Sequence, residues 1–103
     1  MSSPTQRSLK LLRKAGYRAA VVEKWNPHAK IRQDLWGFVD VLAIRKGETV
    51  AVQACHYSDV SKRVEKIANH ENVGAVREAG WRIIVHGWHK VGRRYQVREV
   101  DVS

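Results

Sequence analysis

A chain of 103 residues with 44% apolar content and four tryptophans is long enough for one core, too short for two domains, and too apolar for a disordered segment. Nineteen Lys and Arg against ten Asp and Glu leave a net charge of +9, more than solubility alone asks of a small domain and suited to a polyanionic partner, most simply nucleic acid. The single Cys55 excludes an internal disulfide framework and fits a reducing compartment. No apolar run approaches the ~20 residues of a membrane span, and Lys10, Arg13 and Lys14 interrupt what would be the core of a signal peptide. A soluble, cytoplasmic protein with no membrane partner is expected.

The chain opens with helix signals. Ser3 can cap, Pro4 suits the first helical position, and Gln6 completes a Ser-x-x-Gln box. Leu9, Leu12 and Ala15, with Leu11 beside them, form an apolar stripe; Arg7, Lys10, Arg13 and Lys14 occupy the other face, and Gly16 stops the helix. Residues 18–25 read as a first strand, broken by Asn26-Pro27-His28. A basic loop carrying Lys30 and Arg32 then leads to Asp34.

Residues 38–44 and 49–55 are nearly continuous apolar runs around a tight turn at Lys46-Gly47, the pattern of strands covered on both faces. A symmetric hairpin pairs Arg45 with Glu48, Ile44 with Thr49, Leu42 with Ala51 and Asp40 with Gln53. Directly opposed side chains leave a sheet on the same face, roughly 5 Å apart. The turn therefore brings together the two polar groups of the hairpin interior. A buried carboxylate needs a partner, so the pair is either a mutually satisfying hydrogen bond or a ligand set. The same register sets Trp36 opposite Tyr57, where the two rings would close the core or stack on an exposed base.

Ser58 or Asp59 caps a second helix, with Val60, Val64 and Ile67 inward and Lys62, Arg63 and Lys66 outward. A kink or break is expected at His70-Glu71-Asn72, followed by a further turn or two that ends at Gly80. Residues 81–85 read as a buried strand, 86–94 as a connection carrying Arg93 and Arg94, and 95–102 as a more exposed edge strand. No histidine or cysteine pair has the spacing of a structural zinc motif. The order α-β-β-β-α-β-β gives an α/β domain spanning residues 1–103, with one mixed central sheet of about five strands flanked by helices.

This order, with a Gly-x-x-Asp strand followed by an x-Gln-x-x strand and a basic helix, resembles the PD-(D/E)xK nuclease superfamily. In size and layout it is most similar to small Holliday-junction-resolvase-like, phage or restriction-type domains with a restriction-endonuclease-like fold. The resemblance spans roughly residues 5–88 and rests on few residues. Gly37-Phe38-Val39-Asp40 stands where the family has G-x-P-D, and Val52-Gln53-Ala54-Cys55 where it has V-(D/E)-x-K.

Read so, Asp40 and Gln53 are catalytic metal ligands, joined by the Ala54 carbonyl and by Asp34 or Glu23. The ion would be Mg²⁺ or Mn²⁺. The resemblance implies hydrolysis of phosphodiester bonds in DNA, duplex or branched, with Holliday junctions as one substrate. Lys30, Arg32, Trp36, Tyr57, Lys62, Arg63, Lys66, Arg93 and Arg94 would contact the nucleic acid.

Two departures are plain: Gln53 replaces the acid, and Cys55 replaces the lysine that would orient water. Cysteine in an apolar strand stays a neutral thiol. In some relatives the lysine has moved to the following helix, where Lys62, early in that helix, is preferred here over Lys66. The resemblance also implies a homodimer, for which the edge around Trp81, Trp88 and the last strand is the candidate interface. A non-cutting DNA-binding module on the same fold, and a basic RNA-binding protein, remain as alternatives.

Overall fold

The computed structural model describes residues 3–103. Helix α1 (Pro4–Lys14) begins as its signals dictate: Ser3 Oγ accepts from the Gln6 amide at 3.2 Å, and Pro4 lies in the first turn. Leu9 and Leu12 are buried from it, and Arg13 and Lys14 lie in its last turn, where cations favour the dipole.

The chain then forms β1 (Arg18–Val21), β2 (Lys24–Asn26), β3 (Ile31–Gln33), β4 (Val41–Arg45) and β5 (Glu48–His56). A 3₁₀ turn leads into α2 (Val60–Ala68) and, after a break, α3 (Val73–Glu78); β6 (Arg82–Val91) and β7 (Arg94–Asp101) complete the fold. The five-stranded sheet has the order β1-β4-β5-β6-β7, and only β5 and β6 are parallel. It is an α/β fold with a mixed central sheet. The parallel step needs a crossover, which α2 and α3 supply.

The central hairpin adopts the register set by its turn: Arg45 opposes Glu48, Ile44 opposes Thr49 and Leu42 opposes Ala51. Helices cover both faces, which explains the nearly unbroken apolar runs. On one side Leu9 and Leu12 of α1 pack on Val41, Ala43, Val50 and Val52. On the other, Val60, Ile67, Val73 and Val76 pack on Ala51, Cys55, Ile83 and Val85, together with Phe38 and Val39.

Three expectations change. Residues 18–25 are not one strand, because the chain leaves the sheet after Val22, whose amide bonds the Asp40 carbonyl at 2.8 Å. The expected basic loop is a separate hairpin of β2 and β3, its turn held by Asn26 Oδ1, which accepts from the amides of His28 and Ala29. The expected connection after residue 85 is strand: β6 runs on through Gly87, where a Cβ would lie 2.2 Å from Val60 Cγ2. That glycine is a point of close packing, not a break. In consequence Trp88 is buried in the chain's own core, its indole N–H donating to Ser8 Oγ at 2.9 Å, and is not available to a partner subunit.

Candidate metal centre

Asp40 stands at the head of β4 with its backbone held on both sides. Its amide donates to the Val52 carbonyl at 2.9 Å, and its carbonyl accepts from Val22. Its side chain is held as well, with Oδ2 accepting from the Ala54 amide at 2.9 Å. Amide and carbonyl of a strand residue lie on one edge, so the Ala54 carbonyl shares the edge that faces Asp40.

Alternation along the strands puts Asp40 on the face of Leu42, and Gln53 on the face of Ala51 and Cys55, which is the side that α2 covers. Gln53 is only 2% exposed, and its Oε1 has no hydrogen-bond partner among the described residues. A buried oxygen left without a donor costs about 1–3 kcal/mol, a burden tolerated where a ligand relieves it.

Two more carboxylates converge on Asp40. Carboxylate oxygens of Glu23, Asp34 and Asp40 all lie within 4.8 Å of one another. Glu23 directly precedes β2 and Asp34 directly follows β3, so closing that hairpin is what draws its two feet together. Each acid has its own positioning group: Ala54 N–H for Asp40, Lys66 Nζ at 3.9 Å for Asp34, and Arg32 at 3.5 Å for Glu23. Supporting contacts of this kind orient ligands before anything binds.

Crowding three carboxylates at a buried position has an electrostatic cost. The Asp40 carboxyl is pushed up to about 8, first by burial and then by its hydrogen bond with Asp34, against the Ala54 N–H, with the negative charges of Asp34 and Glu23 adding to the rise. Without a cation this raised Asp40 carboxyl favours its protonated form at neutral pH, hydrogen-bonded to Asp34. A hard divalent cation suits this donor set of three carboxylates and an unpartnered amide oxygen, with the Ala54 carbonyl on the same edge.

Of the residues expected at the site, Asp40, Glu23 and Asp34 are brought together, and Gln53 shares Asp40's face. Glu23 and Asp34, alternatives in the sequence, are both present. Lys66 is the helix lysine that reaches the acids; Lys62, a turn earlier and exposed, makes no ion pair among the described residues. Arg63 lies near enough to Cys55 to act on its thiol, which burial nevertheless pushes up.

Lys30 and Arg32 are carried on the hairpin, and Arg93 lies in the turn before Arg94 opens β7, three strands over from Asp40. Trp36 and Tyr57 do not face each other. The ladder ends at Asp40, and Leu35 bridges back to Val39, placing Trp36 at a turn tip with φ 57°. Tyr57 instead packs against His56 and His89.

One signal in the sequence went unread. Glu23, Asp34 and Asp40 are the only acidic residues among the first forty, and all three meet. No protein-family model matches the chain, and comparison with curated proteins and with solved structures gave no significant match either.

Proposed function

We propose that this protein is a divalent-metal-dependent endonuclease acting on DNA, selective for branched or damaged duplex. The observation that carries the reading is the convergence of Glu23, Asp34 and Asp40, in a chain of net charge +9, with the buried Gln53 on Asp40's face of the sheet. Mg²⁺ or Mn²⁺ would be held by Asp40, Asp34 and Glu23, with Gln53 and the Ala54 carbonyl completing the set. When bound, such an ion supplies Lewis acidity to a phosphoryl oxygen and makes a bound water more acidic.

The chain's own residues do the rest. Asp40 is held in place by the Ala54 N–H, and a cation would displace the proton of its hydrogen bond with Asp34. Lys66, already within ion-pair distance of Asp34, is placed to orient the attacking water and to stabilise charge that develops on the phosphate. It takes the role of the lysine that Cys55 replaces. Lys62, Arg63, Arg93 and Arg94 would hold flanking phosphates, contacts that give affinity without sequence preference. Hydrolysis adds water across one P–O bond: its oxygen goes to phosphorus, and the leaving oxygen takes a proton.

Supercoiled, linear and four-way-junction DNA incubated with Mg²⁺ or Mn²⁺ test the reading. Cutting that disappears in Asp40→Ala and falls about 100-fold or more in Lys66→Ala, but survives Cys55→Ala, is the expected result. Salt-sensitive binding with no cutting of any substrate would replace it with the non-cutting module. The loss of the strand lysine to a buried, neutral Cys55 is the observation that favours this second reading.

A further inference from the structure

The β2–β3 hairpin belongs to no layer of the fold. It forms its own two-stranded sheet, and neither strand packs extensively on another described helix or strand. A lone ribbon of this length is marginal in water and has no reason to carry large apolar side chains. Yet Trp25 is 53% and Ile31 51% exposed. The pairing of Trp25 with Arg32 and of Asn26 with Ile31 puts one on each face of the ribbon, so no single packing event against the domain could cover both.

The charge of the ribbon is one-signed. Residues 24–33 contain Lys24, Lys30 and Arg32 and no acidic residue. The tip is stiffened by Asn26 Oδ1, which accepts from His28 and Ala29 at 3.0 and 3.1 Å, and by Lys30 in the left-handed region at φ 54°. The two feet of the ribbon are Glu23 and Asp34, members of the acidic cluster. Whatever the ribbon touches therefore lies next to whatever the cluster touches.

We propose that this hairpin is an arm that enters a groove of duplex DNA beside the phosphate at the acid cluster. Trp25 and Ile31 contact bases or sugars, and Lys24, Lys30 and Arg32 contact the flanking phosphates. The major groove of B-form DNA, about 12 Å wide, admits a two-stranded ribbon, whereas the corresponding groove of duplex RNA is too deep and narrow for side chains to read. In that groove apolar side chains contact thymine methyls and base edges, which are easiest to reach where the duplex is already branched or damaged and deforms readily. The identity of the partner rests on the nuclease reading; the exposed, one-signed arm does not.

The test uses the full chain with labelled duplex in EDTA, so that binding is read without chemistry. Trp25→Ala/Ile31→Ala is expected to weaken duplex binding about 10-fold or more while leaving the salt slope unchanged. Lys24→Ala/Lys30→Ala is expected to reduce that slope by roughly two units. The melting temperature of both variants should stay near that of the parent, because the ribbon is outside the core.

Parental affinity in both variants overturns the proposal. So does a Trp25-dependent preference for phosphatidylserine–phosphatidylcholine vesicles over duplex, or equal affinity for duplex RNA. Cutting that persists with unchanged binding in the variants refutes the arm and leaves the nuclease standing. Binding lost in the variants of a parent that cuts nothing supports the arm and removes the nuclease.

Discussion

Asp40 carries a local penalty that a substitution can release. Its carboxyl is buried, hydrogen-bonded to a second acid and near a third, and only the Ala54 N–H favours its charge. Asparagine keeps the oxygen that accepts from Ala54 and offers Asp34 an N–H. Asp40→Asn should therefore melt higher than the parent in EDTA at neutral pH, by roughly 1–3 kcal/mol in stability. It should lose the rise in melting temperature that Mn²⁺ gives the parent. A parent indifferent to Mn²⁺, or an Asn variant that melts lower, would count against the metal centre. Gly37, three residues upstream, is constrained in the opposite sense. It has φ 87°, and a Cβ there would stand 2.2 Å from His70 Nε2. Gly37→Ala should cost roughly 2–4 kcal/mol in denaturant unfolding. His70→Ala in the same chain should recover the steric part but not the backbone strain, so the two changes will not add.

At the scale of elements, α1 is joined to the sheet by a polar chain inside the core. Ser8 Oγ accepts from Trp88 Nε1 at 2.9 Å and meets His86 Nδ1 at 2.9 Å, while His86 Nε2 reaches Glu99 at 3.1 Å. The indole can only donate, so the hydroxyl hydrogen is free for Nδ1, and neutral His86 then presents Nε2–H to Glu99. Ser8→Ala strips a partner from two buried groups and should cost about 1–3 kcal/mol, read by urea unfolding. Burial holds His86 below its ordinary 6.5, with Glu99 pulling the other way. Its contribution to stability is thus complete above that value and is lost as pH falls below it. Asp40, whose carboxyl is raised to about 8, gains stability over the same range, so His86 is read from a difference: the melting-temperature advantage of the parent over His86→Gln should shrink from pH 6.5 down to 4.5. None of this was legible in the sequence, since Ser8 lies 78 and 80 residues from its two partners. The central hairpin was legible because one turn fixes every pair that follows from it. The β2–β3 ribbon was not, because its strands cover no core and so show no periodicity. Residues 86–94 read as a connection because only the packed fold reveals Val60 lying over Gly87.

Across the whole molecule, the excess positive charge and the acidic cluster act against each other. A net charge of +9 would draw phosphates toward the domain, yet Glu23 and Asp34 remain partly accessible beside Asp40. The sequence supplied the partners of this site only as far as its registers reached. Asp40 and Gln53 followed from the turn at Lys46-Gly47, but Glu23 and Asp34 meet because a ribbon closes between them. That Lys66 rather than Lys62 reaches Asp34 depends on how α2 packs in the fold, which helical spacing alone does not give. The opposition of charges separates binding from chemistry in a way that can be measured. On the nuclease proposal the carboxylate cluster repels, in EDTA, the backbone that it would cut with a cation, so Glu23→Gln/Asp34→Asn should bind duplex more tightly than the parent. The gain should shrink as salt rises and screens the repulsion. A divalent ion that supports binding without cutting, such as Ca²⁺, should reverse the order: it bridges acids and phosphate in the parent and finds too few ligands in the variant. Anisotropy titrations of one labelled duplex with both proteins, at low and high salt and with either EDTA or Ca²⁺, decide it. Parent and variant that keep the same order under both conditions would mean that the acids never meet the phosphate through a cation.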